Sequence, residues 1–182
     1  MNCNQHAHPK TYNILKFLFI MGFGTLLHFT FKWSNQNRIV ALFSAVNEST
    51  WEHLKLLVFP LLLVDVFEYI KFGHNCDNYM IAKALGLLSG IMSIIVLHYT
   101  YKGVIGKGIL FLDITIFLAS IIIAISVSNI ILNRHLLESK IYQIIGGIII
   151  LVVIISFMLF TYYPPKINLF MDPPTKQYGY PD

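Results

Sequence analysis

Residues 141–163 read IYQIIGGIIILVVIISFMLFTYY, 23 residues without one charged side chain. At 1.5 Å per residue, a helix of this length rises about 34 Å, enough to cross a hydrocarbon core of about 30 Å. Working outward, four further apolar runs of similar character occupy 14–31, 54–70, 79–101 and 109–132. Five spans of about 21 residues use roughly 105 positions, and no connector is long enough for a sizeable soluble domain. The composition agrees. Of 182 residues, 56% are hydrophobic and 12% charged, whereas a soluble domain carries about a quarter charged residues. None of the runs shows the period-two alternation of a membrane β-strand, which leaves the helix as the spanning element. The expected fold is therefore all-α, a single integral membrane domain over 1–182 built as a bundle of five transmembrane helices.

Two stretches fall outside this scheme. Residues 39–46 are apolar but too short to span, so an interfacial or re-entrant segment is expected between the first and second spans. The proline-rich tail, 164–182, cannot continue the last helix and is expected to fold over one membrane face as a cap. No A-x-A-like site follows the first apolar run, so a cleaved leader is not expected. Tyr and Trp at the run ends, among them Trp33, Trp51, Tyr101 and Tyr163, fit interfacial belts. Small residues recur every fourth position, at Ala82, Gly86 and Gly90 and again at Ser120, Ala124 and Ser128. Such stripes let helices approach closely in lipid.

Charge gives little direction. The 13 Lys and Arg residues divide almost evenly between the two sides of a five-span topology, so the positive-inside rule does not orient the chain. No basic run with interleaved aromatics occurs, which excludes a recognisable nucleic-acid-binding surface. The expected partners are membrane lipids.

The few ionisable residues inside or beside the apolar runs are more telling. His28, Glu48, Glu52, His53, His98 and Asp113 all fall within about two helical turns of the same membrane face. A charged group inside a bilayer costs roughly 2.5–3.5 kcal/mol on insertion scales, so such groups face the bundle interior, pair, or bind something. Imidazole and carboxylate from several helices make a ligand set for a divalent metal such as zinc, and equally for acid–base work. On this reading His28, His53, His98 and Asp113 are the metal ligands, while Glu48 or Glu52 is the catalytic base for a metal-bound water. The densest segment is VNESTWEHLK, 46–55, where Asn47 or Ser49 can cap the helix and Glu48, Trp51, Glu52 and Lys55 share one stripe. A second, sparser group on the opposite face comprises Cys3, His6, His8, His74 and Cys76, thiol and imidazole suited to a soft metal. Asp65 and Glu68 also point to that face, with Lys16, Lys71 and Lys83 as expected ion-pair partners.

The string Gly24-Thr25-Leu26-Leu27-His28 followed by 43–55 (FSAVNESTWEHLK) resembles the signature of an uncharacterised bacterial family of small multi-pass membrane proteins. The tail, with Pro164-Pro165, Leu169-Phe170, Asp172-Pro173 and Tyr178-Gly179, is similar to that family's ending. The resemblance covers nearly the whole chain and implies a bacterial cytoplasmic membrane; it carries no activity with it.

Three functions fit these residues. The first is a metal-dependent hydrolase or transferase acting on a lipid-like or other membrane-borne small molecule. The second is an ion- or proton-coupled transporter or channel component. The third is a non-catalytic assembly or sensor protein whose polar cluster only fixes packing.

Overall fold

The computed structural model describes residues 10–181; Cys3, His6 and His8 lie outside them. The described residues form an all-helical bundle: α1 Lys10–Trp33, α2 Arg38–Ala41, α3 Thr50–Lys71, α4 Tyr79–Ile105, α5 Leu110–Asn133 and α6 Lys140–Tyr162. Each expected apolar run lies within one long helix, or overlaps it to within a residue at either end. The short segment becomes the four-residue α2 and an inward-folded loop, in which Ala41, Ser44, Ala45 and Val46 are buried.

Four helices, α1, α4, α5 and α6, are long and apolar enough to cross a membrane. The fifth expected span falls in α3, which differs in charge. Every 18-residue stretch of α3 holds at least three of Glu52, Lys55, Asp65, Glu68 and Lys71. This helix is nonetheless deeply buried, with Leu54 and all of Leu56 to Leu61 inside, and it packs against α1 and α4. Around it α4 contacts α5 and α6, and α1 contacts α5.

Two close approaches set how these helices meet. Pro60 sits inside α3 and has no N–H to offer the carbonyl four residues earlier, so Leu56 O is left without its usual partner. That oxygen turns to α1 at Gly24, where a Cβ would lie 2.3 Å from it. Only glycine lets the two backbones come this close. The small-residue stripes of α4 and α5 likewise face one another, and a Cβ at Gly86 would stand 2.7 Å from Ala124 O.

At the end of α3 away from α2, four ionised side chains close on each other. The Lys16 ammonium donates to Asp65 Oδ1 at 3.0 Å and to Glu68 Oε1 at 3.1 Å. Lys83 donates to Glu68 Oε2 and lies 3.1 Å from Asp65 Oδ1. The Tyr79 hydroxyl donates to the Asp65 carbonyl at 2.5 Å. Two positive and two negative charges cancel, and all four residues are buried. Of the partners expected for Asp65 and Glu68, Lys16 and Lys83 are the ones in contact. Lys71 instead lies 5.5 Å from the centroid of the Phe67 ring.

Removing one member leaves a buried charge uncompensated, which costs about 3–5 kcal/mol. Glu68→Leu should therefore destabilise the detergent-solubilised protein by about that amount in denaturant titrations. The double variant Glu68→Leu/Lys83→Met should recover a large part of the loss, because it leaves the Lys16–Asp65 pair balanced. Additive losses across the two single variants and the double would contradict a coupled cluster.

Candidate functional site

The other end of α3 carries the residues that the sequence singles out. The chain leaves α1 through Asn35 and Gln36, both at positive φ, and Asn37 caps α2 by accepting from Ile39 N at 2.8 Å. The loop then folds inward on two anchors. Ser44 is the first: its hydroxyl accepts from Phe31 N at 3.0 Å and donates to the Leu27 carbonyl, binding the loop to the last turns of α1. Lys55 is the second. Its fully buried ammonium donates to Ala41 O at 2.8 Å, Ser44 O at 3.3 Å, Glu52 Oε2 at 2.6 Å and Thr161 Oγ1 of α6 at 2.7 Å. Glu52 Oε2 also accepts from Val46 N at 3.1 Å. Glu52, expected as a catalytic base, is thus turned inward as the counter-ion of Lys55.

With the loop fixed, α3 starts at a defined point. Ser49 is its N-cap and accepts from Glu52 N at 3.3 Å; Asn47 Oδ1 accepts from Ser49 N at 2.9 Å. The residues around this cap then split in two directions. Glu52 and Lys55 go inside, whereas Glu48 and His53 turn to α1 and meet His28.

His28, Glu48 and His53 each offer one ligand atom, and these atoms lie within 4.8 Å of one another. His53 Nε2 is 3.4 Å from Glu48 Oε2, and the two imidazole centroids are 5.2 Å apart. His53 Nδ1 lies 2.9 Å from the Ser49 carbonyl. A carbonyl only accepts, so Nδ1 carries a proton, and Nε2 is the nitrogen that faces the cluster, donating to Glu48 when the ring is protonated and offering its lone pair when it is neutral. A metal-binding histidine is oriented in this way, its second nitrogen donating to a carbonyl or carboxylate. His28 Nδ1 is buried and has no hydrogen-bond partner among the described residues. Tetrahedral zinc with bonds of about 2.0–2.1 Å sets its ligand atoms about 3.3 Å apart. The His53–Glu48 separation already matches that, and the remainder closes by about 1.5 Å, within the reach of side-chain rotation. Glu48 stands in the loop ahead of α3 with its side chain half exposed. The hydrogen bond from His53, followed by its charge and that of His28, holds the Glu48 carboxyl below its usual 4.5.

His98 and Asp113, also expected as ligands, are paired with each other. His98 Nδ1 is 2.9 Å from Asp113 Oδ1, which also accepts from the Tyr101 hydroxyl at 2.5 Å. The pair lies at the depth of His28. Phe117 of α5 lies against Gly24 of α1, its ring 3.1 Å from where a Cβ would stand. The start of α1 and the end of α5 meet at Asn13 and Asn129, so the two helices are antiparallel. His28 and Asp113 are each one turn beyond that contact in the same direction.

The tail completes this end. Asp172 Oδ1 accepts from Glu48 N at 2.9 Å, the Leu169 carbonyl accepts from Trp51 N at 3.0 Å, and the Gly179 carbonyl accepts from Asn47 Nδ2 at 2.9 Å. The Trp51 ring packs between Phe157 and Phe170, 4.4 and 4.7 Å away. Ser44, Asp172 and Tyr101 carry no sequence signal as site residues: each acts through one hydroxyl or carboxylate placed by long-range packing. On the opposite face, His74 Nδ1 lies 3.2 Å from the Tyr69 carbonyl and Cys76 is buried, while the rest of that expected group falls outside the described residues.

An all-helical bundle with four membrane-competent helices and a His/carboxylate cluster at one end defines the class of protein. Residues 1–180 match a family of unknown function (DUF6512), and the chain belongs to that family. No curated protein and no solved structure matches the chain.

Because Glu48 is lowered, its contribution is complete above 4.5 and is lost only as the pH falls through the lower, folded value. A metal held by this cluster would then be lost in acid through the imidazoles, which must be neutral to bind it. Co²⁺ affinity measured by titration should weaken as the pH falls from about 7 to about 5.5. Glu48→Gln should weaken binding at every pH without moving that midpoint.

Proposed function

We propose that this chain is a single integral membrane domain of five crossings, α3 being the fifth, in a bacterial cytoplasmic membrane. In this reading His28, Glu48 and His53 hold a divalent metal such as zinc, which serves hydrolysis or group transfer on a lipid-like, membrane-borne substrate. The observation that carries the reading is the convergence of three ligand atoms from α1, the loop and α3 within 4.8 Å, with His53 oriented through its other nitrogen.

Two histidines and one carboxylate leave a fourth coordination position for water, the arrangement of a catalytic rather than a structural zinc. Such a metal lowers the pKa of its water to about 7 and polarises a carbonyl or phosphoryl oxygen. The exposure of Leu26, Phe29 and Trp33 on the same stretch of α1 gives an apolar surface beside the cluster, suited to an acyl chain. His98, held by Asp113 and Tyr101 at the same depth, supplies a further proton-carrying group rather than a ligand.

The transport reading requires ionisable groups to continue through the bundle. Between Lys55 and Asp65, about 15 Å along α3, the buried residues Leu56 to Leu61 are all apolar, which counts against a relay.

Metal analysis of the purified protein tests the site. After zinc loading and dialysis, wild type should retain close to one equivalent, His28→Ala and His53→Ala should lose it, and His98→Ala should keep it. Wild type that retains no zinc would sink the proposal, whereas loss in His98→Ala would return His98 to the ligand set.

A further inference from the structure

We infer that the C-terminal tail is part of the metal site and that Asp172 is its positioning residue, so that metal binding and tail docking are coupled. The inference rests on the metal reading of His28, Glu48 and His53, and it adds a regulatory element to that site.

Glu48 is the one member of the cluster that no long helix holds. Its backbone lies between the inward-folded loop and the N-cap Ser49, and its N–H must find an acceptor from elsewhere. Asp172 Oδ1 supplies it at 2.9 Å. Asp172 is buried, and every polar atom it has is engaged. Oδ2 accepts from Thr175 N at 3.2 Å and from Thr175 Oγ1 at 2.5 Å. The main-chain N–H donates to Gln177 O at 2.9 Å, and the carbonyl accepts from Lys176 N at 2.8 Å. The carboxylate therefore closes the 172–177 turn on itself and spends its remaining oxygen on the metal-cluster loop.

The neighbouring contacts run in parallel. Asn47 donates to Gly179 O and Trp51 donates to Leu169 O, so tail groups hold the chain on both sides of Glu48. The tail itself is seated by Phe170 against Trp51 and Phe160, by Tyr180 N donating to Thr161 O at 2.8 Å, and by Tyr180 Oη donating to Gln36 O at 2.6 Å. Releasing the tail frees the Glu48 backbone; fixing Glu48 on a metal holds the surface to which the tail binds. Outer-shell partners of metal ligands are worth about 10–100-fold in affinity, and any such coupling is reciprocal.

The experiment uses the full chain, purified in detergent, with Co²⁺ as the probe. Asp172→Ala should weaken Co²⁺ binding about 10–100-fold while the visible spectrum at saturation stays that of wild type, because the ligands themselves are unchanged. Asp172→Asn, whose amide oxygen can still accept from Glu48 N, should lie closer to wild type than Asp172→Ala. Asp172→Ala binding as tightly as wild type would overturn the inference and leave the metal site standing. Wild type that takes up no Co²⁺ would overturn both. Should Asp172→Ala fail to fold, the reciprocal arm needs no variant: bound Zn²⁺ should slow tryptic cleavage of the wild-type tail at Lys166 and Lys176. Cleavage at the same rate with and without Zn²⁺ would overturn the coupling.

Discussion

Helix α3 carries five charged side chains and a histidine into a bundle whose other long helices are almost wholly apolar, and each buried charge has to be met where it lies. An ion moved into a medium of low dielectric is penalised by several kcal/mol even after relaxation. The structure answers with pairing at both ends. Lys16 is drawn from α1 and Lys83 from α4 onto Asp65 and Glu68, while Lys55 is surrounded by four oxygens from three different segments. Buried ion pairs contribute little net stability compared with apolar residues of the same shape. Their effect here is on register: a shift of α1 or α4 by one residue along α3 would separate the partners by about 1.5 Å per residue and rotate them by 100°.

That register has a consequence at each level above it. It sets Gly24 against the Leu56 carbonyl that Pro60 leaves free, and this close approach brings the following turn of α1, with His28, beside the start of α3. Lys55 recruits the carbonyls of Ala41 and Ser44, which draws the loop inward and places Glu48 next to the N-cap. His53 then needs no further constraint than its own bond to the Ser49 carbonyl. The cluster is a product of how α3's charges are neutralised rather than a separate construction on the surface of the bundle.

Much of this was legible in the sequence. Apolar runs near membrane thickness located all five long helices, and the eight-residue run 39–46 marked the segment that does not span. The scarcity of charge made each exception conspicuous, so His28, Glu48 and His53 stood out, as did the pairing of Asp65 and Glu68 with lysines. What one-dimensional reading could not supply was direction. Glu48 and Glu52 are one helical turn apart in sequence, yet the first is half exposed beside two imidazoles and the second is enclosed with Lys55. His98 and Asp113 fall at the right depth, but depth along a helix says nothing of the bearing around it, and α4 and α5 turn them onto each other. Asp172 reaches Glu48 across 124 residues, a contact without any local pattern.

The two ends of α3 also differ in a way that separates structural polarity from chemistry. In the Lys16–Asp65–Glu68–Lys83 quartet the charges sum to zero, the side chains are at most 7% exposed, and the ion pairs are closed within the group. At the other end His53 and Glu48 are 34% and 47% exposed and meet at 3.4 Å, and His28 Nδ1 is unsatisfied among the described residues. A buried or half-buried polar group left open carries a cost of about 1–3 kcal/mol, and a bundle able to saturate four charges at one end has the means to saturate two imidazoles at the other. That the quartet is paired while His28 Nδ1 is left open among the described residues is the physical ground for the function proposed at the His28 end.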